Sequence, residues 1–270
     1  VAKYKKKTVR KLQQDKFRDT TMNLFDRLGD LLEGRGRQIL YGVVGLVVVG
    51  LLVLFFVKWS NRKSDEARQA LGRAITISTA NVGAPLPGAD DTAMTFTSEA
   101  ERSQRAIDEF EKVAAKYGDP YRSQARYFIA SNRLAVDRAK AVTELTELQN
   151  SSVPEVAALS KFALAQVKES DGKLDEAAQI YSDLARSNGP TITAETANLK
   201  LAKIYEKQGK KKEAADILFN IVDASRKAKD ADNQPAQISA AAREAADELK
   251  KLDPDRYAQL PPEATPSFLG

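Results

Sequence analysis

Nineteen consecutive uncharged residues, Ile39 to Val57 (ILYGVVGLVVVGLLVLFFV), constrain this chain more than any other feature. As a helix rising about 1.5 Å per residue, the run spans roughly 28 Å, close to the hydrocarbon thickness of a bilayer. Its valines form helices poorly in water, but in lipid a backbone has no partner except itself. Arg35 and Arg37 precede the run, and Lys58, Arg62 and Lys63 follow it. Tyr41 and Trp59 lie near its ends, where amphipathic rings settle at headgroup depth. No other segment is apolar enough to wrap such a helix on all sides. No small-x-small cleavage site follows Trp59, which argues against a signal peptide. The run reads as a single-pass anchor over 39–57.

The charge is distributed unevenly around that anchor. The net +5 of the chain hides a tail, residues 1–38, with eleven Lys/Arg against five Asp/Glu, so everything after it sums to about −1. A basic excess confined to a membrane-proximal tail suits anionic lipid headgroups or an acidic partner, and gives no nucleic-acid face to the rest. The Lys/Arg counts over twenty flanking residues, three before the anchor and five after, oppose a cytoplasmic tail, whereas the distal cluster from Lys3 to Arg18 favours one. The reading adopted is an N-terminus in the cytoplasm and a large C-terminal domain in the periplasm of a bacterial inner membrane. Within the tail, Phe17, Phe25, Leu28 and Leu31 recur at three- and four-residue spacing and predict an amphipathic helix that docks a partner.

Beyond the anchor the sequence reads as all-α. A juxtamembrane helix is predicted over 58–78 and a Gly/Pro/Asp-rich loop over 79–97, and helical periodicity continues through a domain at 98–252. Helices are expected over about 98–117 and 121–133, then one running to Leu148 and one opened by Pro154. An alanine-rich capping helix is expected over about 235–251. No strand is expected, and the Pro-rich tail 253–270 reads as extended or disordered. Two segments superimpose without a gap: Leu164, Ala165, Gly172, Lys173, Glu176, Ala177 and Ala178 recur 37 residues later as Leu201, Ala202, Gly209, Lys210, Glu213, Ala214 and Ala215. A fixed period of this size marks a solenoid of helical hairpins. The alanines admit close helix approach, and the glycine admits the turn between them. Ala106 with Phe110 looks like a weaker copy of Ala177 with Tyr181, and Ala130 like Ala165, completed by Ala141 or Val142.

The repeat resembles the tetratricopeptide repeat (TPR), with three extra residues placed around Asn188 to Thr191 and with Lys168 where Tyr205 supplies the first-helix aromatic. Anchor, basic tail and degenerate repeats together resemble the membrane-anchored tetratricopeptide proteins of the bacterial inner membrane related to the ancillary subunit of the SecYEG translocon. The resemblance covers about residues 39–227 and includes the helix WSNRKSDEAR directly after the anchor. It departs in the longer tail and in the 79–96 insertion. It implies a single N-terminal transmembrane helix followed by a degenerate TPR-like α-solenoid, and interaction with the translocon, periplasmic chaperones or emerging clients. Carried over by position, the groove residues that would bind protein are Arg126, Asn132, Lys161, Lys168, Asn198 and Tyr205.

Little in the sequence points to chemistry. There is no cysteine and no histidine, which removes thiol chemistry, the usual neutral-pH base and the commonest metal ligand. Asp90-Asp91 lacks the spaced oxygens of a calcium loop. Glu99 with Glu101, and Glu144 with Glu147, have only helix-surface spacing. The run KQGKKK (207–212) is basic without aromatic interleaving. The expectation is a non-catalytic scaffold with no cofactor and no metal, an accessory subunit held among the subunits of a membrane protein complex. The alternative is a transient client- or chaperone-binding module at the translocon.

Overall fold

The computed structural model describes residues 63–83 and 94–263. The basic tail, the amphipathic stretch with Phe17, Phe25, Leu28 and Leu31, the 39–57 run and Asp90-Asp91 lie outside the described residues. Among the described residues, no helix is long and apolar enough to cross a membrane.

Residues 63–78 form helix α1, whose Leu71 and Ala74 are buried. Eight longer helices and one short one follow: α2 (Glu99–Lys116), α3 (Tyr121–Arg133), α4 (Arg138–Leu148), α5 (Pro154–Ser170), α6 (Leu174–Ser187), α7 (Ala194–Lys207), α8 (Lys211–Lys227), α9 (Ala240–Leu252) and the single turn α10 (Pro254–Tyr257). Local chemistry sets most of the starts. Ser98, Asp137, Thr193 and Ser239 each accept a bond from the backbone N–H three residues on, and Pro154 sits where its missing N–H does no harm.

Three departures from the sequence reading have physical causes. The 79–97 loop contains two parallel two-residue strands, β1 (Asn81–Val82) and β2 (Thr95–Phe96), with Asn81 opposite Thr95. Two residues carry no readable alternation, so only the fold reveals them. Gly83 N–H donates to Phe96 O at 2.8 Å, and the Arg102 guanidinium donates to Ala80 O at 3.3 Å, which closes the neck of the loop. Helix α9 starts at Ala240 rather than near 235, because a bridge between Lys229 and Pro235 and the Ala236 N–H bond to Ala228 O (2.9 Å) hold 235–239 out of the helix. The segment after Asp253 is also not simply extended: Asp253 caps α10, and Leu260 is buried in the last core cluster.

The helices stack as hairpins α1/α2, α3/α4, α5/α6 and α7/α8, closed by α9. The 37-residue repeat is a geometric one. Gly172 and Gly209 have φ of 73° and 75°, and the lysines that follow, Lys173 and Lys210, share φ −82° and ψ 62°. Lys173 N–H donates to Lys168 O at 2.8 Å, and Lys210 N–H to Tyr205 O at 2.9 Å. The second helices extend the pattern to all four hairpins. Ala106, Ala141, Ala177 and Ala214 are each 0 % exposed, and four residues after each lies a fully buried large side chain, Phe110, Leu145, Tyr181 or Leu218. Residues four apart share a helix face, so each pair presents a close-approach point beside a space-filling one. Ala141, not Val142, takes this place in the second hairpin. The core is therefore a run of neighbouring clusters, each shared by adjacent helices, as in a quasi-one-dimensional array. The described residues from 63 to 227 form a row of helical hairpins.

Candidate protein-interaction surface

The first-helix alanines Ala130, Ala165 and Ala202 give a register for every side chain on α3, α5 and α7. Arg126, Lys161 and Asn198 each stand four residues before one of these alanines and so occupy one repeat position. That position looks across to the second helix of the same hairpin. Arg126 pairs with Glu147 at 3.0 Å, and Lys161 lies in the field of Asp183. Glu147 and Asp183 are themselves equivalent, six residues after Ala141 and Ala177; the fourth hairpin, α7/α8, has Asn198 and Asn220 at the two places. The Asp183 carboxyl is held below its ordinary range by hydrogen bonds from Arg186 and Gln179, with Lys161 adding a smaller pull.

Three residues after the alanines stand Arg133, Lys168 and Tyr205, and here the copies diverge. Lys168 bonds Glu176 at 2.5 Å and thereby lowers the Glu176 pKa. Tyr205 lies under the Lys210 ammonium, 5.3 Å from ring centroid to nitrogen. Arg133 is buried, pairing with Glu144 of α4 and, at 3.3 Å, with Glu111 of α2. Asn132 is one residue out of this register. It accepts from Ser78 Oγ at 2.9 Å and donates to Phe128 O at 2.8 Å, so it joins α3 to α1. The six residues named from sequence thus do not converge on one site. Apart from Asn132, they belong to two repeat positions, and Arg126, Lys161, Lys168 and Tyr205 meet partners inside their own hairpins.

A different stripe links successive first helices. Gln124 of α3 bonds Glu155 of α5 at 3.3 Å, and Lys207 of α7 bonds Glu169 of α5 at 2.5 Å. Lys203 pairs with Glu244 of α9, lowering the Glu244 pKa, and Ser239 donates to Glu195 at 2.5 Å. At helical spacing among these lie Tyr127 on α3 and Leu159 and Phe162 on α5, all half-buried. Phe162 meets the buried Tyr181 edge-on at 5.6 Å, and Tyr127 meets Phe128 at 5.4 Å. Burial pushes the Tyr127 phenol pKa up, and a hydrogen bond with Ser131 partly offsets this. Tyr127, Phe162 and Leu199 each stand three residues before a first-helix alanine; Leu199 is buried in the cluster shared with α9. Sequence reasoning missed this row. An aromatic at the same offset from Ala130 and from Ala165 was the signal that could have found it.

Among the described residues, the carboxylates considered for chemistry have structural partners. Glu101 accepts from Thr97 N–H at 3.0 Å and from the Thr97 hydroxyl, which lowers its pKa, and Glu144 is tied to Arg133. Among the described residues, no group of three or more acidic side chains is placed to hold a metal ion.

No family model matches the chain, and neither does any curated protein. Two solved structures are similar: the nearly identical TPR-like repeats of a Podosopora anserina protein described as a kinesin light chain, and a single-substitution variant of it. They are 19% and 18% identical, with a TM-score of 0.43 in each case, over 56% of this chain and 77% of theirs. The repeat assignment itself rests on the internal geometry described above.

Proposed function

We propose that this chain is a non-catalytic scaffold, anchored in a bacterial inner membrane by residues 39–57, that serves as an accessory subunit of a larger membrane protein complex. The observation that carries the reading is the hairpin array itself. Arg126, Lys168 and Lys207 are spent on ties between helices, while Tyr127, Leu159 and Phe162, packed on the core by one side, stay half-buried on the first-helix row. Aromatic anchors within a polar rim are what an interface core uses. In this reading the tail is cytoplasmic and touches anionic headgroups, Phe17, Phe25, Leu28 and Leu31 dock a partner subunit, and the repeat domain is periplasmic. The resemblance to translocon-associated proteins supports the compartment and, as a second reading, transient binding of clients or chaperones.

One purification separates the readings. The protein is isolated from its native membrane in mild detergent as wild type, as Phe25→Asp with Leu28→Asp, and as Leu159→Asp with Phe162→Asp. A permanent subunit co-purifies in fixed stoichiometry, and the tail changes loosen it. A client module comes off substoichiometric, indifferent to the tail and sensitive to the α5 pair. Association that neither pair alters would overturn the scaffold reading. Protease added to intact spheroplasts should remove residues beyond 60 and spare the first 38; the reverse pattern overturns the topology.

A further inference from the structure

Helix α9 packs on α8 and α7 as a further first helix would, with Ala242, Ala245 and Leu249 buried. Where a fifth hairpin would continue into a second helix, the chain instead turns at Asp253 and lays α10 and Leu260 back onto the last hairpin. Two arginines hold this segment to α8. Arg226 donates to the Tyr257 hydroxyl at 3.2 Å and to the carbonyl of Pro261, and its guanidinium lies 5.5 Å from the Tyr257 ring. Arg256, from the segment itself, pairs with Asp216 and lies 5.3 Å from the Phe219 ring. Lys250 of α9 approaches the other contact ring, Tyr257, at 5.9 Å. Leu260 is 8 % exposed, in a cluster with Leu218, Ile221, Val222 and Leu249.

From these contacts we infer that residues 253–263 are a strap that terminates the array and blocks self-association. The strap covers the apolar end of α8 and α9, and the partner it excludes is the same end of a second copy of this chain. The physical ground is the repeat itself. Each hairpin face is built to stack on another hairpin through buried alanines and large apolar residues, and a solenoid whose last face is left uncovered associates through it. The fastening is specific: Arg226 and Asp216 of α8 meet the Tyr257 hydroxyl, the Pro261 carbonyl and the Arg256 guanidinium of the strap, and Leu260 enters the cluster shared by α8 and α9. This arrangement is separate from the first-helix row proposed above as the docking surface, and the two fail independently.

The test uses the full chain in detergent, comparing wild type with Tyr257→Ala plus Leu260→Asp, and with Arg226→Ala plus Arg256→Ala. The second pair leaves Leu260 and the apolar cluster untouched. Residue-level hydrogen exchange and sedimentation are read together. The strap reading expects amide exchange in α8 and α9 to quicken by about tenfold or more while α3 to α6 keep their protection. It also expects both variants to form a concentration-dependent dimer that the wild type does not. Unchanged exchange with unchanged mass overturns it. Collapse of all hairpins in one step in both variants also overturns it, since the segment would then be ordinary core. Opening of α8 and α9 without any dimer overturns the self-association half.

Discussion

Removing Arg133 tests whether one buried cation joins three helices. Its side chain is 10% exposed, against 23% for Glu144 and 56% for Glu111, so the two carboxylate partners are not equal. The Glu111 pair is screened by water and contributes about 0–1 kcal/mol. Breaking a fully buried pair by deleting one partner costs about 3–5 kcal/mol, because the other charge is left without compensation. Glu144 keeps some access to water, but one of its oxygens is already buried without a partner and the other would lose Arg133. The expected loss for Arg133→Ala is therefore about 2–3 kcal/mol, below the range for a fully buried pair. In a domain of this size, each kcal/mol moves the melting temperature by about 2–4 °C, so a fall of roughly 5–10 °C is expected by circular dichroism in mild detergent. Arg133→Met should cost nearly as much, since it leaves Glu144 stranded. Arg133→Met combined with Glu144→Leu should recover most of the loss, giving a coupling of about 2 kcal/mol in the double-mutant cycle. Hydrogen exchange should quicken in α2 to α4 and not in α8, because packing passes only between neighbours. Arg133→Ala within about 0.5 kcal/mol of wild type, or a double variant no better than the singles, would refute the reasoning.

Other perturbations follow from single features. Ser160 is 0% exposed and its hydroxyl has no partner, so Ser160→Ala should raise stability by about 1 kcal/mol; a lower urea midpoint would show that the hydroxyl finds an acceptor. Gly172→Ala and Gly209→Ala place a Cβ at φ of 73° and 75° with open space around it, so strain alone should cost about 1–2 kcal/mol at each site. Unequal urea midpoints for these two variants would deny that the turns are equivalent. Glu176, Asp183 and Glu244 have folded pKa values below their unfolded ones, so the folded state binds protons less readily than the unfolded state. Their stabilisation is present above the unfolded value of about 4 and is lost as pH falls through the depressed folded values. Melting temperatures taken from about pH 6 down to about pH 3 should fall, and less steeply in a Glu176→Gln, Asp183→Asn, Glu244→Gln variant; equal slopes would reject these pairs as the cause.

The positions of the helices were largely legible in the residues. Ser98, Pro154, Gly172 and Gly209 mark boundaries through local backbone chemistry, which needs no distant partner to act. The 37-residue register identified a turn whose two copies agree within 2° in φ. Legibility was poorer wherever the decisive contact was distant in sequence. The strand pair at 81–82 and 95–96 has no period to read, and Pro235 with its neighbours is held out of α9 by backbone bonds to residues 228 and 229. The partners of the polar first-helix residues were unreadable for the same reason. Arg126 and Lys168 are engaged by Glu147 and Glu176 inside their own hairpins, and Tyr127 and Phe162 lie on the stripe that joins one first helix to the next.

The sequence alone determined which residues could go inside. An alanine with a large apolar residue four positions later is a statement about one helix face, made by covalent geometry and hydrophobicity within a single turn. Tertiary structure decided what each polar group would meet. At one repeat position, Arg133 became a buried hub for two carboxylates, Lys168 a surface pair and Tyr205 a seat for an ammonium. Ion pairing and ring contacts depend on distances between helix axes that are set once neighbouring hairpins have stacked, and no spacing within a helix encodes those distances. The segment 253–263 shows the same division. Its prolines foretold a break in the helix, while its seat on α8 was chosen by Arg226, Asp216 and Phe219, brought there by the fold.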